Sequence, residues 1–243
     1  MKNIFSILLI VFSATKLSAQ KTISFPSPDG ITITADLYEI DSTSPVILLC
    51  HQARYSRGEY IETAKRLNTF GFNCLAIDQR SGKECNAVTN ATAEAAASKR
   101  MPGNYFDAKP DIIASVDFLF KKYNRRIILF GSSYSASLAL IIAKENEKVC
   151  AAAVFSPGEY LGEANPVGKN IAGLDKPVYA TSSMEEADAV TDLMKDVISQ
   201  LKVQFIPKSP GNHGSKALWT TNSNNQEYWI TLMAFLSKVK ELK

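Results

Sequence analysis

The sequence predicts an α/β architecture, a mostly parallel sheet covered by helices on both faces. Short, nearly unbroken apolar runs recur along it, among them Val46-Ile47-Leu48-Leu49-Cys50 and Ile127-Ile128-Leu129-Phe130. A strand buried on both faces reads this way, because neither side of its pleat meets water. Longer amphipathic stretches alternate with these runs, as helices that cross between parallel strands do. No internal repeat and no interdomain linker interrupts the pattern, and the length suits one domain.

The elements follow in order. Residues 23–25 and 31–38 read as strands joined by Ser27-Pro28-Asp29-Gly30, a turn in which Pro fixes φ and Gly accepts a positive one. The run 46–50 is a strand, 60–70 a helix ending at Gly71, and 74–77 the next strand. Residues 111–123 carry a broad apolar face and form a helix, followed by strand 127–130 and an apolar helix over 136–143. Strands at 150–155, 177–181 and 203–206, with helices at 188–198 and 226–240, complete the set. Two segments break the rhythm. Residues 79–107 are too long for a structureless loop, and with the alanine-rich stretch 91–97 they predict a partly helical flap at the strand ends. Residues 157–176 form the other irregular stretch.

Bulk properties exclude several classes. Lys2, the apolar stretch Ile4 to Phe12 and Ala19-Gln20 read as an export signal, with residues 1–19 removed and 20–243 forming the domain. The apolar stretch falls short of the ~20 residues a membrane span needs, so no membrane insertion is expected after cleavage, and a periplasmic or extracellular location is. Loss of Lys2 and Lys16 takes the formal charge from +3 to +1, which gives no electrostatic reason to expect nucleic acid as a partner. Cys50, Cys74 and Cys150 lie in apolar runs, where a thiol acts as a small hydrophobe, and Cys85 lies in a loop; no disulfide is expected. With no C-x-x-C and two histidines, neither a metal nor any other cofactor is predicted.

The chemistry concentrates in two strings. Gly131-Ser132-Ser133-Tyr134-Ser135-Ala136 follows the apolar run 127–130 and opens into a helix. A serine at such a strand-to-helix turn is lifted out of the sheet edge, and its neighbours must be small because the backbone reverses there. Gly131, Ser135 and Ala136 meet that demand. In these residues the chain resembles the α/β-hydrolase superfamily and its G-x-S-x-G nucleophile elbow, with Ser135 in place of the last glycine. The resemblance implies a chain order of Ser, acid, His, and the only histidine after Ser133 is His213, in Pro210-Gly211-Asn212-His213-Gly214-Ser215. The alternative is a surface histidine without a task.

The resemblance places the acid just past strand 177–181, in Ser182-Ser183-Met184-Glu185-Glu186-Ala187-Asp188. These carboxylates also suit the N-terminus of the next helix, and both Ser182-x-x-Glu185 and Ser183-x-x-Glu186 are capping-box patterns. If Ser183 caps with Glu186, Glu185 is left free; Glu185 is therefore the expected acid, ahead of Glu186 and Asp188. An oxyanion hole needs two backbone N–H groups. The expected donors are Tyr134, after the nucleophile, and Ala53 in the His51-Gln52-Ala53 loop, with Gln52 as the alternative. His51 resembles the superfamily's structural histidine. Asp78-Gln79-Arg80-Ser81-Gly82 resembles its D-x-R-x-G strand exit, and Arg54, Arg57 and Arg80 read as a solvated, salt-bridged rim rather than an anion clamp.

The resemblance spans residues 20–243. The short 157–176 segment leaves no room for a substantial cap domain, and the His213-Gly214-Ser215 end is most similar to the dienelactone hydrolase-like branch. The implied function is hydrolysis of a small-molecule carboxylic ester, with Ser133 attacking, His213 moving the proton and Glu185 orienting it. A peptidase or thioesterase uses the same groups, and an inert binding protein of the same fold is the rival from another class.

Overall fold

The structure is a computed structural model that describes residues 20–242, so the expected signal segment lies outside the described residues. Its strands are β1 (Gln20–Pro26), β2 (Thr32–Tyr38), β3 (Val46–Cys50), β4 (Asn73–Ile77), β5 (Glu84–Cys85), β6 (Val88–Thr89), β7 (Ile127–Ser132), β8 (Val149–Phe155), β9 (Val178–Thr181) and β10 (Lys202–Phe205). The helices are α1 (Ile61–Thr69), α2 (Ala91–Ser98), α3 (Lys109–Tyr123), α4 (Tyr134–Glu145), α5 (Val167–Ile171), α6 (Ala187–Leu193) and α7 (Asn225–Glu241). Eight strands form one sheet in the order β1-β2-β4-β3-β7-β8-β9-β10, while β5 and β6 pair apart as a small hairpin. β2 pairs antiparallel with both β1 and β4, and every pairing from β4 to β10 is parallel.

Alternation along the strands divides the core in two. Val46, Leu48 and Cys50 of β3 face one layer, where they meet Ile112 and Leu119 of α3 and Leu138 and Ile142 of α4. Ile47 and Leu49 face the other, against Leu67 of α1 and Leu232 and Phe235 of α7. Each parallel strand is thus covered twice, which is why its sequence is apolar throughout. α3 carries Pro110 in its first turn, where no helical N–H is lost, and ends at Asn124 in the left-handed conformation (φ 51°).

Two expectations change. The helix predicted over 188–198 stops at Leu193, because the following chain turns towards the segment that leads into β9, where the Ile198 N–H donates to Leu174 O (3.0 Å). The 79–107 segment is only in small part a flap. The Asp78 carboxylate accepts the Ala91 N–H (2.9 Å), and the Thr92 hydroxyl accepts the Thr34 N–H of β2 (2.9 Å), which fastens α2 to the sheet. Residues 103–106 line the hollow described below. The 157–176 segment holds only α5, anchored by Glu159, whose carboxylate accepts the N–H groups of Val167 and Gly168. All four cysteines are free thiols, and Cys85 is buried in β5.

Candidate active site

Six parallel strands deliver their carboxyl ends to one edge of the sheet, the side on which α/β proteins bind ligands. Ser133 follows β7 with φ 58° and ψ −124°, a conformation costly for any residue with a side chain. Its surroundings hold it there. A Cβ on Gly131 would stand 2.5 Å from Ser135 O and 2.6 Å from the Ala136 Cα, so only glycine lets the turn close. Ser135 is a fastener: its Oγ accepts the Ser132 N–H (3.0 Å) and lies 2.7 Å from Cys50 O as donor. The elbow is thereby tied to the end of β3.

His213 meets Ser133 from the loop after β10. Its Nε2 is 2.8 Å from Ser133 Oγ, and its Nδ1 makes a short hydrogen bond to Glu186 Oε1. The expected acid is therefore corrected: Glu186 contacts His213, while Glu185 and Asp188 are exposed and do not. Residues 184–186 form a 3-10 turn, where successive side chains point about 120° apart, so one of two adjacent glutamates faces the histidine. The capping box predicted for Ser183 and Glu186 is present, but it does not use Glu186 up. Oε2 accepts from Ser183 N (3.2 Å), Ser183 Oγ (3.0 Å) and Ser156 Oγ (2.7 Å), leaving Oε1 for the imidazole. Burial works to raise the Glu186 pKa, but the hydrogen bonds from His213 and Ser156 outweigh it and hold the carboxyl down at about 2.

Ser156 was not singled out in the sequence. It follows β8 with φ 52°, donates to Glu186 and accepts the Gly214 N–H (2.9 Å), so it couples the acid to the histidine loop. A polar residue directly past an apolar strand was the available signal. Gly214 (φ 69°) seats that loop, since a Cβ there would stand 2.6 Å from Ser132 Oγ.

The loop after β3 approaches from the opposite side. The Gln52 N–H is committed to Glu59 Oε2 (2.8 Å), and residues 52–55 form a turn with Arg54 at φ 65°. Of the two donors considered there, Ala53 keeps its N–H outside that bond. Tyr134 opens α4, so its N–H has no carbonyl one helical turn before it. Glu59 is fully buried, also accepts from Ser215 Oγ, and is pushed by burial up to about 6 despite those hydrogen bonds. It links the β3 loop to the segment following His213.

His51 is held elsewhere. Its Nδ1 pairs with Gln52 O (2.8 Å), and its Nε2 accepts the Gln79 N–H (2.9 Å) with Asn90 Nδ2 at 3.1 Å. The rim arginines need correction. Arg80 is not solvated but buried, paired with Asp111 (2.6 Å) and Asp29 (2.7 Å), and Arg57 pairs with Asp78 (2.6 Å) and Asp36 (3.2 Å). Arg54 is exposed. Among the described residues no cluster of three His, Cys, Asp or Glu side chains is arranged to hold a metal, and no helix is long and apolar enough to cross a membrane.

No family model matches the chain, and no curated protein matches it by sequence. Solved structures do resemble it. An esterase of Pyrococcus furiosus superposes with a TM-score of 0.66 at 16% identity, covering 95% of each chain. A dienelactone hydrolase of Anabaena variabilis gives 0.65 at 16% identity, over 90% of this chain and 96% of its own. The esterase domain of a Rhodothermus marinus protein gives 0.61 at 16%, over 89% and 97%. Strand order, elbow and superposition agree that this chain has the α/β-hydrolase fold.

Proposed function

We propose that the chain is a serine hydrolase of small carboxylic esters. The observation that carries this is the chain of contacts from Ser133 Oγ to His213 Nε2 (2.8 Å) and from His213 Nδ1 to Glu186, with the serine held in a strained elbow. With Nδ1–H donating to Glu186, Nε2 is free to accept the hydroxyl proton as Oγ attacks the ester carbonyl. The N–H groups of Tyr134 and Ala53 then hold the oxyanion of the tetrahedral intermediate. The imidazolium returns its proton to the departing alkoxide, which leaves as the alcohol, and an acyl group remains on Ser133. Water, deprotonated by His213, attacks the acyl carbonyl and releases the acid and the free serine. Glu186 holds the imidazole in the productive tautomer and stabilises its charge. The esterases and the dienelactone hydrolase among the similar structures support ester cleavage. The proposal includes export, on the signal-like pattern of residues 1–19.

The test is labelling by a fluorophosphonate, which reacts with an activated serine. The protein should label stoichiometrically and Ser133→Ala should not; an unlabelled protein, or a labelled Ser133→Ala variant, overturns the assignment.

A further inference from the structure

A hollow of about 400 Å³ that the catalytic contacts do not use is lined by Asn104, Tyr105, Phe106, Tyr160 and Leu161, together with Gly103 and Gly162. Its size falls within the range of small-molecule sites, and a cavity of about 150 Å³ already admits benzene. Three of its lining side chains are aromatic and none is charged.

Both walls hang from the first turn of α4. On one side, Tyr105 stacks on the ring of Tyr134, the residue after the nucleophile, with centroids 4.6 Å apart and an interplanar angle of 18°. On the other, Ser137 Oγ donates to Gly158 O (2.7 Å) and accepts the Gly158 N–H (3.0 Å), which fixes the segment that carries Tyr160. The Tyr160 ring folds back against Gly158, where a Cβ would stand 2.7 Å from it. Tyr134 is completely buried, yet Tyr105 and Tyr160 keep 39% and 37% of their surface exposed. Two large rings are thus left partly uncovered around an uncharged hollow, each fastened within one helical turn of Ser133.

We infer that this hollow receives an aromatic ring of the substrate, packed against Tyr105 and Tyr160, so that aryl-bearing esters are preferred over alkyl esters of the same size. The inference rests on the ester-hydrolase reading above. A carboxylate at the same distance from the scissile bond would meet no cation in the lining. A saturated ring would bury similar apolar area but lose the ring-to-ring contribution.

The test compares matched pairs. Methyl 3-phenylpropanoate against methyl 3-cyclohexylpropanoate places the ring on the acyl side, and 2-phenylethyl acetate against 2-cyclohexylethyl acetate places it on the alcohol side. In one pair the aryl ester should have a kcat/KM about tenfold higher, carried by KM because the ring is remote from the reacting carbon. The preference should fall towards unity in Tyr160→Leu and in the Tyr105→Leu/Tyr160→Leu variant, and survive in Tyr105→Phe/Tyr160→Phe. Tyr160 makes no stack on Tyr134, so its single variant reads the effect even if the double one folds poorly. Ester turnover with no aryl preference in either pair overturns the subsite and leaves the catalytic reading standing. Absence of both turnover and phosphonate labelling overturns the catalytic reading; calorimetric binding of the same pairs to Ser133→Ala then decides the subsite, equal affinities overturning it and a tenfold aryl preference supporting it.

Discussion

The two histidines, His51 and His213, stand on loops that leave the same edge of the sheet, yet their surroundings allow opposite behaviour. His51 has no exposed surface, and its ring nitrogens are tied to the peptide groups of Gln52 and Gln79. Burial outweighs those hydrogen bonds and lowers its pKa to about 4. The His213 side chain is 40% exposed and lies between a carboxylate and a hydroxyl, with Nδ1 on Glu186 and Nε2 on Ser133. An imidazole tied to backbone on both sides holds loops together. One placed between an acid and a nucleophile has somewhere to take a proton from and a charge to balance it.

The largest expected effect separates these roles. His213→Ala and Ser133→Ala should each lower ester turnover about 10⁴-fold or more, because the groups act as a unit, and Ser133→Ala, which loses one hydroxyl, should leave the thermal midpoint almost unchanged. His51→Gln should instead lower the midpoint while the folded fraction keeps most of its turnover. Turnover of p-nitrophenyl acetate, set beside a calorimetric melt of each variant, reads both; the reverse pattern would exchange the two histidines.

Next in size is the acid. Glu186→Gln should cost about 10²- to 10⁴-fold in kcat, since the imidazolium loses its partner. Glu185→Gln, exposed and off the histidine, should change kcat less than about twofold on the scale of a surface substitution. Equal losses in both variants would remove the distinction that the 3-10 turn draws between them.

Acid denaturation should tell the regions apart by pH window. The native state keeps His51 neutral between its unfolded value of 6.5 and about 4, so it binds fewer protons than the unfolded chain there. Stability is therefore lost as pH falls through that window, on the order of 3 kcal/mol for this group. Glu186, lowered from 4.5 to about 2, contributes stability that is complete above 4.5 and lost only as pH falls towards 2. Urea melts across pH should show the upper loss abolished in His51→Gln and the lower one abolished in Glu186→Gln. A His51→Gln variant with the wild-type slope between pH 6.5 and 4 would contradict the buried neutral ring.

The smallest expected effect lies where the two regions join. Ser135 Oγ ties Cys50, next to His51, to Ser132, next to Ser133. Ser135→Ala should lower stability by about 1–3 kcal/mol, because the buried Ser132 N–H loses its acceptor, with turnover retained within a few-fold. A variant as stable as the wild type would show that the fastening is dispensable.

Legibility followed locality. The sheet was readable because each parallel strand is apolar over its own few residues, and the elbow because Gly131, Ser133, Ser135 and Ala136 stand within six positions. The acid was misread by one residue, for two physical reasons. A 3-10 turn rotates adjacent side chains far apart, and a carboxylate has two oxygens, so capping Ser183 did not exclude binding His213. The long 79–107 segment read as a flap because nothing local reveals that Thr92 satisfies the edge of β2 or that Asn90 joins His51 and Gln79.

By itself, then, the sequence determined the alternation of elements, the elbow serine and the one histidine available to it, since periodicity, small residues and chain order are properties of neighbours along the chain. The tertiary structure decided which glutamate meets His213, that Ser156 and Glu59 brace the loops around it, that Arg57 and Arg80 are spent on internal ion pairs, and that Tyr105 and Tyr160 line one hollow. Each of those facts joins residues from different strands, and their distances exist only once the sheet has brought its carboxyl ends together.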